Sequence, residues 1–160
     1  MTPRLLLLAA ALLPLSAAAQ QGEGQQGEGL RLATADIAAL PALGAGAGTS
    51  GVAGIRTRIL SGDPTKPGLY TIALTVPANT RIAAHRHRDD RTATVVSGTW
   101  YFGYGEKAAD AAFKPFPPGS FYAEPADAAH FAHTGADPVT LYITGIGPTD
   151  TRYVEATAAP

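Results

Sequence analysis

Glycine and proline punctuation is the feature that most restricts what this chain can fold into. Its 160 residues hold 18 glycines and 13 prolines, which cut it into short apolar runs. Short runs bounded by turn residues are the mark of an all-β protein. The runs also alternate as strands do. Tyr70, Ile72, Leu74 and Val76 fall on one face, with Thr71, Ala73 and Thr75 on the other. Val139, Leu141 and Ile143 alternate in the same way with Thr140, Tyr142 and Thr144. The runs Thr92 to Val96 and Thr99 to Tyr104 are rich in β-branched and aromatic residues, which suit a pleated, half-buried surface. Ser97-Gly98 predicts the turn between them, and Asp63-Pro64 and Pro67-Gly68 bound another. Glu106 to Ala112 predicts a turn or two of helix within a loop. No long amphipathic helical stretch follows the first residues.

Chemistry concentrates in Ile82 to Gly98, IAAHRHRDDRTATVVSG. Residues i and i+2 of a strand share a face, so His85 and His87 project together. Two neutral imidazoles side by side are half of a site for zinc, copper, iron or nickel. The alternative is a solvated basic strand, since Arg86 and Arg88 interleave with the histidines. Further on, Glu124 ends the otherwise apolar run Phe121 to Glu124. A carboxylate there either needs a partner or ligand or points into water.

The stretch His85-x-His87, three residues, Arg91, six residues, Gly98 resembles the first motif of the cupin family, in which a glutamate stands at the position of Arg91. A second stretch, Pro125-Ala126-Asp127-Ala128-Ala129-His130 running to Thr134, resembles the second cupin motif, with Asp127 in place of a glycine and Thr134 in place of an asparagine. The resemblance runs from about Leu60 to Tyr153. It implies a double-sheet jelly roll, also called a double-stranded β-helix, closed as a barrel.

The same resemblance implies that His85, His87 and His130 line the barrel and hold one divalent transition metal: Fe, Mn, Zn, Ni or Cu. Three imidazoles with open positions leave room for water or substrate. A guanidinium cannot ligate, so Arg91 either turns aside to Asp89 or Asp90 or pairs with a carboxylate that serves as fourth ligand. Glu124 is the candidate for that carboxylate, and Asp90 stands one residue short of the usual acid position. Arg91, Tyr70 and Trp100 are candidates for a substrate pocket, although both aromatics also read as core. His133, three residues past His130, belongs on the opposite face. The implied function is a metal-dependent oxygenase or isomerase acting on a small molecule. The alternative is a non-catalytic, metal-free barrel that captures a small ligand, with Arg91 meeting an anion. A single cupin domain can also form a homodimer by pairing edge strands.

The remaining segments set the context. Residues 1–19 carry one charge, Arg4, then an apolar run from Leu5 to Leu15 and a small-residue stretch ending at Ala19. This is the pattern of a cleaved secretory signal peptide, and the run is too short for a stable membrane anchor. It predicts a periplasmic or secreted protein beginning near Gln20. Residues 20–29 repeat QQGEG twice, read as a disordered linker, and residues 30–54 read as an N-terminal arm before a cupin domain over 55–155. Without Arg4, 11 basic residues face 13 acidic ones, a near balance that gives no reason to expect nucleic acid. The absence of cysteine excludes disulfides and cysteine nucleophiles. No phosphate loop, dinucleotide fingerprint or nucleophile elbow occurs.

Overall fold

The computed structural model describes residues 29–44 and 49–154. The signal-peptide segment, nearly all of the QQGEG linker and part of the N-terminal arm lie outside the described residues. The chain divides into two units, Met1–Arg31 and Leu32–Pro160. Only residues 29–31 of the first are described, and they carry no regular secondary structure.

The second unit begins with a short helix, α1 (Thr34–Ala39), capped by the Asp36 carboxylate, which accepts from the Ala33 N–H at 2.8 Å. Among the described residues ten strands follow: β1 (Arg56–Ser61), β2 (Gly68–Val76), β3 (Arg81–Arg86), β4 (Arg91–Ser97), β5 (Trp100–Tyr104), β6 (Lys114–Phe116), β7 (Phe121–Glu124), β8 (His130–Thr134), β9 (Val139–Gly147) and β10 (Arg152–Tyr153). The helix expected in Glu106 to Ala112 is a single 3-10 turn, Asp110–Ala112.

The strands form two five-stranded sheets, ordered β1-β2-β9-β4-β7 and β10-β3-β8-β5-β6. Every described pairing is antiparallel. Their inner faces build one core. Ile72, Leu74, Val95 and Leu141 come from the first sheet, and Ile82, Trp100, Phe102 and Ala132 from the second. The alternation expected in β2 and β9 is observed except at Ala73, which is buried although it shares the threonine face: Tyr70, Ile72, Val139 and Leu141 are fully buried, with their threonine neighbours half-exposed. This is the jelly-roll barrel. The Ser97-Gly98 turn joins β4 to β5. Gly98 has φ +74°, and a Cβ there would lie 2.4 Å from the Pro138 carbonyl oxygen, so only glycine fits.

One irregularity decides which way β3 faces. Ile82 pairs with Ala132 and His85 pairs with His130. Two residues of β3 therefore span one residue of β8, which is a β-bulge. Strict alternation would turn Ile82 inward and His85 outward. The extra residue resets the parity, so Ile82 and His85 line the same cavity.

Candidate metal centre

Two cross-strand pairs, one from each sheet, build the site. In the second sheet His85 on β3 lies opposite His130 on β8. In the first sheet Arg91 on β4 lies opposite Glu124 on β7. Arg91 shares its inward face with Ala93 and Val95, and Glu124 shares its own with Tyr122, as the alternation of buried residues shows. His87 follows the end of β3 and, two residues from His85, reaches the same point. All five side chains are buried: His85 5%, His87 1%, His130 2%, Arg91 4% and Glu124 4% exposed.

The three imidazoles converge. One nitrogen of each lies within 4.8 Å of the others, and the ring centroids are 4.4 to 5.2 Å apart. Each Nδ1 meets a backbone carbonyl: Ala83 for His85 at 2.8 Å, Asp150 for His87, and Ala128 for His130 at 3.0 Å. A carbonyl only accepts, so each Nδ1 carries the proton and each Nε2 presents a lone pair. The Nε2 atoms of His87 and His130 are buried and have no hydrogen-bond partner among the described residues. Burial keeps the rings neutral. It lowers the pKa of His85 to about 4, because a second proton beside His130 would be repelled as well as desolvated. It lowers that of His87 to about 3, with Arg91 adding, and it lowers that of His130 as well.

Glu124 is taken up by Arg91. Its Oε2 accepts from Arg91 Nε at 2.8 Å and also from Nη2. Burial would raise the Glu124 pKa, but the guanidinium outweighs it and holds the carboxyl at about 2. The same Oε2 lies 3.8 Å from His87 Nε2 and 3.7 Å from His130 Nε2. With neutral rings these are not ion pairs. Lone pairs and an ionised carboxylate face one another at a buried point, an arrangement that favours a cation or a proton donor between them. Three buried histidines of this tautomer fit a metal ion.

The other expected residues have distinct places. Trp100 lines the cavity with Phe102, His85, Arg91, Glu124 and His130. The cavity volume is about 20 Å³, room for one water-sized occupant. Tyr70 stands deeper in the core. Burial pushes its phenol up to about 12, so it stays protonated and donates to Asp89 Oδ2 at 2.8 Å, while Thr149 donates to Asp89 Oδ1 at 2.6 Å. Asp90 is exposed and accepts from the Ala126 N–H at 2.9 Å. His133 faces away from the cavity and stacks on Tyr101 at 4.5 Å. Sequence reading did not find the carbonyls of Ala83, Ala128 and Asp150, because a backbone acceptor leaves no side-chain signature. It also missed Ser50, which lines the cavity and whose carbonyl accepts from the Tyr153 hydroxyl.

No family model matches the chain, and no curated protein matches it. Solved structures do. The polyketide cyclase RemF from Streptomyces resistomycificus superposes with a TM-score of 0.61 at 16% identity, over 78% of this chain and 86% of that one. A cupin 2 conserved barrel domain protein from Rhodopseudomonas palustris gives 0.52 at 14%, over 64% and 68%. The DMSP lyase DddQ from Ruegeria pomeroyi DSS-3 gives 0.50 at 17%, over 58% and 47%. The chain spans about half the length of the DMSP lyase chains it matches, 47% in each case. At these identities the likeness is one of fold. Among the described residues, no helix is long and apolar enough to cross a membrane.

Proposed function

This chain has the cupin fold, and from that premise we propose that it holds one divalent transition metal on His85, His87 and His130 and acts there on a small oxygenated molecule, as an oxygenase or isomerase. The observation that carries the proposal is the pair of buried Nε2 atoms, on His87 and His130, that point at one spot without a partner while their Nδ1 atoms are tied to carbonyls. A bound ion of this kind supplies Lewis acidity to a substrate oxygen.

The chain's own residues supply the rest. The carbonyls fix the tautomers and so aim the lone pairs, as outer partners of metal-ligating histidines do. Glu124, held ionised by Arg91, is placed to serve as a fourth ligand or to accept a proton beside the imidazoles. Trp100 and Phe102 wall the cavity against bulk water. A metal-free barrel that uses Arg91 to catch an anion has less support, because Glu124 engages that guanidinium and an incoming anion would have to displace a buried carboxylate.

Export belongs to the same reading and rests on residues 1–19 alone. One experiment tests both parts: intact mass and elemental content of the protein purified from its native compartment. The expected result is a mature chain beginning near Gln20 with one transition-metal ion per chain. An intact leader defeats the export reading. Stoichiometric metal retained after His85, His87 and His130 are all changed to alanine defeats the metal reading.

A further inference from the structure

The carbonyls that orient His87 and His130 sit in two separate loops, and an exposed side chain joins those loops. Arg152, on β10, is 49% exposed. Its Nη2 pairs with Asp127 Oδ1, and its Nε pairs with Asp150 Oδ2 at 3.1 Å. Asp150 supplies the carbonyl that accepts from His87 Nδ1. Its other carboxylate oxygen accepts from the Arg88 N–H at 2.8 Å. Asp127 precedes Ala128, whose carbonyl accepts from His130 Nδ1. The Asp127 N–H also donates to the His87 carbonyl at 2.8 Å. The contacts therefore form a ring: His87 to Asp150, Asp150 to Arg152, Arg152 to Asp127, and Asp127 back to His87.

Asp127 holds its place in an uncommon backbone conformation. Its φ is +60°, a left-handed value that glycine adopts freely and aspartate tolerates better than most residues. Its carbonyl accepts from Arg86 Nη1 at 2.6 Å. Backbone and side chain of this residue are thus both engaged at the rim of the site. Arginine suits the bridging role because its planar fork presents separate donors to two carboxylates, whereas a lysine ammonium is a single point of charge.

We infer that Arg152 is a positioning residue: by joining Asp127 to Asp150 it fixes the two carbonyls that set the tautomers of His130 and His87. The inference rests on the metal reading only for its effect on affinity, since the tautomers exist without metal.

The test uses the full mature chain. Imidazole 15N shifts of the metal-free protein report the tautomers, and Co2+ titration followed by visible absorption reports affinity. Arg152→Ala is expected to loosen the Nδ1–H tautomer at His87 and His130 and to weaken Co2+ binding about tenfold, the low end for outer partners of metal ligands. Asp127→Gly keeps the turn without steric cost and removes only the carboxylate, so it should match Arg152→Ala, and the double variant should lose nothing further. Arg152→Lys should fail to restore either signal. Arg81→Ala breaks another exposed pair, with Asp110 at 3.2 Å, and should leave both unchanged. Wild-type imidazole shifts and affinity in Arg152→Ala, or full rescue by lysine, would overturn the inference. If the wild type takes up no Co2+, the metal reading fails and the imidazole shifts alone decide the role of Arg152.

Discussion

The two sheets bring opposite things to one cavity. The β3–β8 pair delivers imidazoles, each tied by its Nδ1 to the backbone and open at its Nε2. The β4–β7 pair delivers a cation and an anion that satisfy each other side chain to side chain. Both use the same device, residues directly opposite on antiparallel strands. The difference lies in where the hydrogen bonds go. Anchoring a ring to the main chain leaves one polar atom unspent at the cavity. Pairing two charges spends most of theirs on each other. The β3–β8 pair therefore leaves imidazole nitrogens open toward the cavity, and the other sheet sets a carboxylate, engaged by Arg91, beside them.

The largest effect should come from breaking the charged pair. Glu124→Gln keeps the size, removes the charge and takes from the buried Arg91 the carboxylate it is hydrogen-bonded to, a break that costs about 3–5 kcal/mol. Urea unfolding in the presence of a chelator should show that loss. Replacing both partners, as in Arg91→Met with Glu124→Leu, should recover most of it, because well-packed apolar residues often equal a buried ion pair. A double variant as unstable as the single one would show that the pair is more than a self-contained charge couple. Its further ties would then include the metal centre.

Acid should separate the two sheets by pH window. The three histidines are held below their ordinary value of 6.5, with His85 at about 4 and His87 at about 3. An unfolded chain takes up protons at these rings as pH falls below 6.5, and the folded chain does not. Their contribution is therefore fully present above about pH 6.5 and is lost as pH drops toward 3–4. Glu124 is held at about 2 against an ordinary 4.5, so its contribution is present above 4.5 and is lost as pH falls toward 2. Metal-free protein should thus lose stability in two overlapping stages, the first from the imidazoles. Stability that stays level from pH 7 to pH 5 would contradict neutral, buried histidines.

A smaller effect is expected at Tyr70, in the same sheet as Arg91. Tyr70→Phe removes one of the two hydroxyl donors to Asp89 and leaves Thr149 in place. A loss of about 1.5 kcal/mol follows for a hydrogen bond to a charged acceptor. Metal content should not change, since Tyr70 does not line the cavity; a drop in metal content would extend the site into the core.

Alternation along the chain determined the strands, their buried faces and the fact that His85 and His87 project together, because side-chain direction in a strand repeats every two residues. Alternation did not reach the third imidazole; His130 was implied by the resemblance of the stretch Pro125 to His130 to the second cupin motif. Tertiary structure alone decided which face the histidine pair would take, through one extra residue between Ile82 and His85 that reverses the parity of β3. It also decided that Arg91 and Glu124 meet, since cross-strand register joins residues 33 positions apart. The carbonyls of Ala83, Ala128 and Asp150 became partners of the imidazoles for the same reason. Periodicity is a property of neighbours in sequence, and register and loop contacts form only when the sheets close over each other.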